Sequence, residues 1–311
     1  MSKAGLISFR AHGSPTFSFA VCPPAALLLI CFPHMFGVLH AAIIHGYPIF
    51  HVLRVSLVLL GGSFFCNNAS HAWNDLIEAP IDALIERTRT RPIPRGAVSR
   101  TAALLFTITQ ALGAAAFLLL LPAEAAIAAI PNIAGTAYYP FSKRHSYFPQ
   151  LVLGFCLSWG ILVGGSALGV AKIWMDTSTL CLLTASISWV VIFDTIYAHQ
   201  DLADDVKVGV KSTAVLFQNH SRAFLWCLVI GMSASLVASG YYGHMSLLYY
   251  VFAVGGSLWS VATMVMSVEL NDPASCWKWF SQGFLLTGSA ILCGLVMEFV
   301  ARREETSDLC S

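Results

Sequence analysis

Long apolar runs, cut by short polar segments, set the pattern of this chain. A helix needs about 20 mostly apolar residues to cross a bilayer. Read for runs of that length and for the charges, Gly and Pro that interrupt them, the sequence predicts nine spans. They lie near 18–43, 51–76, 101–121, 123–140, 149–169, 177–200, 222–240, 246–267 and 280–300. Only Leu121, Pro122 and Ala123 separate the third from the fourth, and the Gly- and Ser-rich eighth is the weakest. The expected fold is all-α and polytopic, a bundle of nine transmembrane helices. It forms one domain over residues 1–311, with a short cytosolic segment at 1–17 and a tail at 301–311.

Composition agrees with that pattern. The chain is 57% hydrophobic and 11% charged, with a mean hydropathy of +0.72, too apolar for an ordinary soluble domain. A net charge of +1 gives no basic surface for nucleic acid. Nothing in the sequence calls for an obligate protein partner beyond the lipid bilayer itself. The nine cysteines are scattered, many inside apolar runs (Cys31, Cys156, Cys181, Cys227, Cys293), and form no CxxC pair. They read as buried free thiols. The N-terminal stretch carries only Lys3 and Arg10 and lacks the Arg- and Ser-rich amphipathic pattern of an import presequence. The expected location is the endoplasmic reticulum or another non-mitochondrial endomembrane. With nine spans, 13 of the 17 Lys and Arg fall on the N-terminal side, leaving Arg54, Lys172, Arg302 and Arg303 on the other. The positive-inside rule then makes the charged loops cytosolic.

Two windows break the apolar pattern. Residues 74–100 and 194–211 hold 15 of the 33 charged residues in 45 positions. That density speaks against the bland alternative of solvated loops with incidental ion pairs. On a helix, Asn74, Glu78 and Asp82 share a face, with Asp75 beside them. Asp194, Tyr197, Asp201 and Asp204 or Asp205 follow the same spacing in the second window. Pro80 is expected to kink or end the first stripe. Clustered carboxylates repel unless a cation neutralises them, and hard oxygen donors suit Mg²⁺, which binds through one or two carboxylates plus substrate phosphates. Arg87, Arg91, Lys143, Arg144 and Lys211 are donors suited to phosphate oxygens. Acid stripes with basic neighbours describe a Mg²⁺–diphosphate site. Asp194 precedes the metal stripe and is expected either to orient an acceptor hydroxyl or take its proton, or to hold Tyr197 in place. His71 and His199 read as packing residues.

These windows carry a resemblance. NDLIEAPIDALIERTRTRPIPRG is similar to the first signature of the UbiA superfamily of intramembrane prenyltransferases. DTIYAHQDLADDVKVGVKSTAVLF is similar to the second, and YYPFSKRHSYFPQLVLG resembles the stretch between them. The resemblance implies a bundle with a central cavity open to the membrane and the two acidic motifs facing each other at its cytosolic mouth. It also implies Mg²⁺-dependent transfer of a prenyl group from its diphosphate to an aromatic acceptor. Asn74, Asp75, Asp82, Asp201 and Asp205 match the functional positions, Glu78 stands where Asp is usual, and Gly283 where Asn is frequent. Fungal relatives that farnesylate aromatic polyketides fit best, which makes farnesyl diphosphate the expected donor. The 4-hydroxybenzoate enzymes of ubiquinone biosynthesis, a UbiA-type terpene cyclase and a cation transporter are the alternatives. A cavity that shields an allylic cation could be lined by Tyr138, Tyr139, Phe141, Tyr147 and Trp159, with Tyr138 and Tyr197 against the acceptor.

Overall fold

The computed structural model describes residues 24–308, and side chains over 26–304. The segment 1–17, the start of the first predicted span and residues 309–311 lie outside the described residues. The long helices are α1 (Pro24–His45), α2 (Ile49–Asp82), α3 (Arg100–Leu118), α4 (Ala123–Ser142), the broken pair α5 (Pro149–Ser158) and α6 (Gly160–Ser166), and α7 (Thr177–Ala198). Short helices α8 (Leu202–Val208) and α9 (Thr213–Phe217) lead into α10 (Ser221–Tyr242), α11 (Leu247–Tyr249), α12 (Gly256–Ser267) and α13 (Pro273–Asp308). No strand occurs among the described residues.

Each predicted span corresponds to a helix or helix pair. Among the described residues eight are long and apolar enough to cross a membrane. The exception is α4, in which Glu124, Pro131, Asn132 and Pro140 dilute the apolar run. The weakest predicted span does form, and part of its first half, Tyr250–Gly255, is wound as a π-helix. Many large apolar side chains face outward, Leu57, Leu105, Leu112 and Ile230 among them, which suits a lipid solvent and no aqueous one. The protein is an integral membrane protein. Cys227 and Cys293, expected as buried thiols, belong to this exposed surface, whereas Cys31, Cys156 and Cys276 are buried.

The centre of the bundle is α1, packed on α2, α6 and α13. Its contact with α6 is made backbone to backbone. A Cβ on Gly37 would stand 2.0 Å from the Ile161 carbonyl oxygen, and one on Gly164 2.2 Å from that of His34. Lipid supplies no hydrophobic force between helices, so close approach of small residues carries such contacts. A ladder of rings, Phe32, Phe36, Trp189 and Phe193, ties α1 to α7. At about 1.5 Å per residue, the 34 residues of α2 span about 50 Å, against about 30 Å of hydrocarbon. That surplus length places the polar end of α2, with Asn74 to Asp82, at one end of the bundle.

Candidate active site

The first motif closes the end of α2. The helix runs through Pro80 and stops at Asp82, two residues beyond the expected break, with Ala83 N–H still bonded to Ala79 O at 3.2 Å. Glu78 and Asp82 therefore keep a common face and are both buried. The loop from 83 to 99 is a series of turns that fold back on the helix. Thr88 donates its hydroxyl to Asp82 O at 3.1 Å, and Gly96 takes a φ of 76° that other residues rarely adopt. The turns bring Arg91 over α2, where its Nη1 donates to Asp75 Oδ1 at 3.1 Å and to Asp82 Oδ2 at 2.8 Å.

The second motif is not the continuous stripe that its spacing suggests. Helix α7 ends at Ala198, a 3₁₀ turn spans His199–Asp201, and α8 starts afresh at Leu202. The tighter turn leaves Tyr197 and Asp201 facing one guanidinium from the first motif. Arg87 grips Asp201 as a fork, Nε to Oδ1 at 2.8 Å and Nη2 to Oδ2 at 2.5 Å, and its Nη1 donates to the Tyr197 hydroxyl at 3.0 Å. Of the two candidates after Asp201, Asp205 turns inward and is buried. Asp204 turns outward, accepting from Lys207 at 3.2 Å and from Glu86 N–H at 3.4 Å. Among the described residues no hydrogen-bond donor reaches the carboxylates of Asp194 or Asp205.

The stretch after α4 joins the motifs. Lys143 Nζ lies 2.8 Å from Glu78 Oε1 and 2.9 Å from Oε2. Its charge also acts on Asp194 and Asp205 of the second motif. Lys211 N–H bonds Lys143 O at 3.1 Å, and its ammonium donates to His145 O at 3.4 Å above the Tyr147 ring. Arg144 donates to Ile77 O at 3.0 Å. Burial opposes the charged form of Lys143, but Glu78, Tyr139 and Asp194 outweigh it and hold its pKa well above the ordinary lysine value. For Arg91, burial is likewise outweighed by Asp75 and Asp82. Both side chains stay cationic at neutral pH.

The expected aromatics divide. Tyr138 is 44% exposed and bonds His145, so it faces away from the motifs. Tyr139, the next residue, takes the inner position beside Lys143. Tyr197 does stand in the site, under Arg87 at 5.1 Å. The sequence reading missed its other neighbours. Phe280 lies 4.6 Å from the Tyr197 ring and Trp277 6.3 Å, both from the first turns of α13. The aromatic spacing 277, 280, 284 was the available signal. A cavity of about 420 Å³ opens between α2, α3 and α4, lined by apolar side chains such as Leu59, Phe117, Leu118 and Ile133. Trp73, the residue before Asn74, closes its site end.

The donors suit a hard divalent cation. All are oxygens, and the Asn74 Oδ1 atom is buried without a hydrogen-bond partner beside Asp75. Among the described residues no three metal-binding side chains close on one point. The carboxylates are instead divided between the motifs, Asp75, Glu78 and Asp82 in the first and Asp201 and Asp205 in the second, and Mg²⁺ takes only one or two carboxylates at a time when substrate phosphates complete its shell.

Comparison with known proteins agrees with this geometry. Residues 30–288 match the UbiA prenyltransferase family. The chain is 30% identical over 282 residues to a mitochondrial 4-hydroxybenzoate polyprenyltransferase of Schizosaccharomyces pombe, covering 89% of this chain and 78% of that one. It is 31% identical to the prenyltransferase ascA of Acremonium egyptiacum, covering 90% and 83%. The fold superposes on a UbiA homolog from Aeropyrum pernix K1 with a TM-score of 0.71 at 21% identity, over 88% of this chain and 98% of that one. A UbiA homolog from Archaeoglobus fulgidus bound to DMAPP and Mg²⁺ gives a TM-score of 0.60 at 15% identity, over 86% and 96%. Matched across most of its length, with both acidic motifs at one end of an intramembrane helical bundle, the chain belongs to the UbiA prenyltransferase family and is an enzyme.

Proposed function

We propose that the chain moves a prenyl group, farnesyl by preference, from its diphosphate to a phenolic acceptor of the aromatic polyketide type. The observation that carries this reading is the junction of the two motifs. Carboxylates from α2 and from the 3₁₀ turn after α7 alternate with Arg87, Arg91 and Lys143 around one site. Two fungal relatives, ascA and the polyprenyl transferase andD of Emericella variicolor, are named as prenyltransferases and are 31% and 32% identical to this chain. In this reading Asp75, Glu78, Asp82, Asp201 and Asp205, with Asn74, would hold Mg²⁺. When bound, the metal neutralises charge on the departing diphosphate.

The chain's own residues do the rest. Arg87, Arg91, Lys143, Arg144 and Lys211 are positioned to take the diphosphate oxygens, exchanging their present partners for the ligand. The C–O bond of the allylic diphosphate breaks with both electrons leaving on oxygen. The apolar cavity beside Trp73 takes the prenyl tail and keeps water from the cation. A ring carbon of the acceptor supplies the electron pair of the new bond while Asp194 orients or deprotonates the phenolic hydroxyl, and that carbon then loses its proton, to the phenolic oxygen or to solvent, so that the aromatic ring is restored.

All of 1–311 acts as one catalytic domain, with its motif loops cytosolic in the endoplasmic reticulum or a related endomembrane. The 4-hydroxybenzoate activity named for the S. pombe relative is the second reading. A cation-transport role is disfavoured, because the acids gather at one end of the bundle and are faced with basic partners. Membranes holding the chain, supplied with Mg²⁺, a series of prenyl diphosphates and phenolic acceptors, should yield a prenylated polyketide-type phenol by mass spectrometry. Product from 4-hydroxybenzoate alone would select the second reading. A cyclised terpene formed without acceptor would reject both. Imaging of a C-terminally tagged chain decides between endomembrane and mitochondrion.

A further inference from the structure

The apolar cavity that opens beside Trp73 is lined by α2 as far as Val58. Its hydroxyls nearer the site are committed, Thr107 to Ala103 O at 2.9 Å and Thr136 to Asn132 Oδ1 at 3.2 Å. Two polar groups farther in are not. Ser63 is 3% exposed, and among the described residues its hydroxyl has no hydrogen-bond partner. The Cys31 thiol of α1 lies beside it and interacts weakly, as sulfur does. His34, 8% exposed, lines the same cavity. Its Nδ1 donates to Ile30 O at 2.7 Å. A carbonyl only accepts, so Nδ1 carries the proton and Nε2 of the neutral ring is an acceptor. A Cβ on Gly160 would stand 3.1 Å from Nδ1, so that edge of the ring lies against α6 and the Nε2 edge is left to the cavity. Among the described residues no donor reaches Nε2.

Depth gives this pair its meaning. Helices α1 and α2 run antiparallel across the turn that joins them. With Cys31 level with Ser63, His34 stands one helical turn deeper. At about 1.5 Å per residue, Ser63 lies about 17 Å along α2 from Asn74, and His34 about 21 Å. An extended chain advances about 3.4 Å for three bonds, so an isoprene unit of four chain bonds covers about 4.5 Å, three units about 14 Å and four about 18 Å. A farnesyl tail that starts at the motifs therefore stops short of Ser63. A fourth unit passes Ser63 and comes up against His34. Space does not end the tail there, because the cavity continues to Val58 and Leu121.

We propose that Ser63 and His34 form a polar stop that limits the prenyl donor to three isoprene units, an inference that rests on the prenyl-transfer reading above. With a farnesyl tail in place, a water between the two groups meets their hydrogen-bonding needs. A fourth unit displaces that water with groups that bond nothing, and leaves a buried hydroxyl and a buried imidazole nitrogen unmet. The test measures Kd for farnesyl and for geranylgeranyl diphosphate, each with Mg²⁺, on the full chain in phosphatidylcholine nanodiscs. The ratio of the two constants is the readout, since a general loss of structure weakens both. The unaltered chain should favour farnesyl by roughly tenfold or more. Ser63→Ala with His34→Leu should remove most of that preference, and Ser63→Ala alone, the milder change, should lower it by about threefold or more. Ser63→Thr, which keeps the hydroxyl, should retain it. Ser63→Cys, larger but far less polar, should also lower it. A Cys variant that sharpens the preference would make the limit one of size and overturn the proposal. Equal binding of the two diphosphates by the unaltered chain, or an unchanged ratio in both Ala-containing variants, overturns it as well. Binding of neither diphosphate would instead sink the prenyl-transfer reading, and the proposal with it.

Discussion

At the residue scale, the site depends on carboxylates that share cations. Asp82 is buried and Arg91 is its partner, and Arg91 is held in turn by Asp75. Replacing Asp75, Asp82, Asp201 or Asp205 by Asn should lower turnover at least about a hundredfold, the order expected when a stabiliser of transition-state charge is lost. Chelation should abolish activity and Mg²⁺ restore it; full turnover in EDTA would reject the metal–diphosphate reading. Asp194 makes a finer test. It lies near Lys143 but takes no hydrogen bond from the described residues, and it stands apart from the Arg87 and Arg91 pairs. Asp194→Asn should impair transfer while leaving prenyl diphosphate binding nearly unchanged, measured as a fall in kcat with a steady KM for the diphosphate. An equal loss of binding in Asp194→Asn and Asp201→Asn would move Asp194 into the metal site.

At the element scale, helix packing here rests on the absence of side chains. With Gly164 pressed on the His34 carbonyl and Gly37 on that of Ile161, any Cβ must push α1 and α6 apart. Gly164→Val should destabilise the fold by about 1–3 kcal/mol or more, as overpacking does. The expected result is a lower thermal midpoint in detergent, with weaker expression. An unchanged midpoint would mean that the two helices are not held at this distance. The elements also show where periodicity stops being informative. Asp201 and Asp205 were assigned to the face of Asp194 by continuous helical spacing, whereas the 3₁₀ turn at His199–Asp201 resets the phase. Arg87 still reaches both Tyr197 and Asp201, since the tighter turn draws them together.

At the scale of the whole molecule, topology decides which end meets which compartment. Nine crossings, as the sequence predicts, would put the motif loops and the C-terminus on opposite sides. Tags inserted within 86–100 and 206–220 should both be cytosolic, and one at the C-terminus luminal. A cytosolic C-terminus would overturn either the orientation or the full crossing of α4, the least apolar of the helices. The same polarity separates the two charged ends, one bearing the acidic motifs and the other the Glu298–Arg302 ion pair.

What the sequence determined by itself follows from local quantities. Apolar length is a property of one segment, so the spans could be read without knowing their neighbours. The motif strings fixed the family and most of the site's acids, because their residue types and spacing are local too. What only the tertiary structure decided involves partners distant in the chain. Tyr138 and Tyr139 are adjacent in sequence, and only packing against Lys143 and His145 sends one inward and the other out. The resemblance already pointed to Asp205; helical spacing alone left Asp204 open, and the fold buries Asp205 while turning Asp204 out to Lys207 and Glu86 N–H. Phe280 and Trp277, more than 70 residues beyond Tyr197, joined the site because α13 packs on α7. A second pocket, at the far end of the bundle, stayed hidden for the same reason. His45, His244 and Arg303 are far apart in the chain, and they line one pocket only where three separate segments meet.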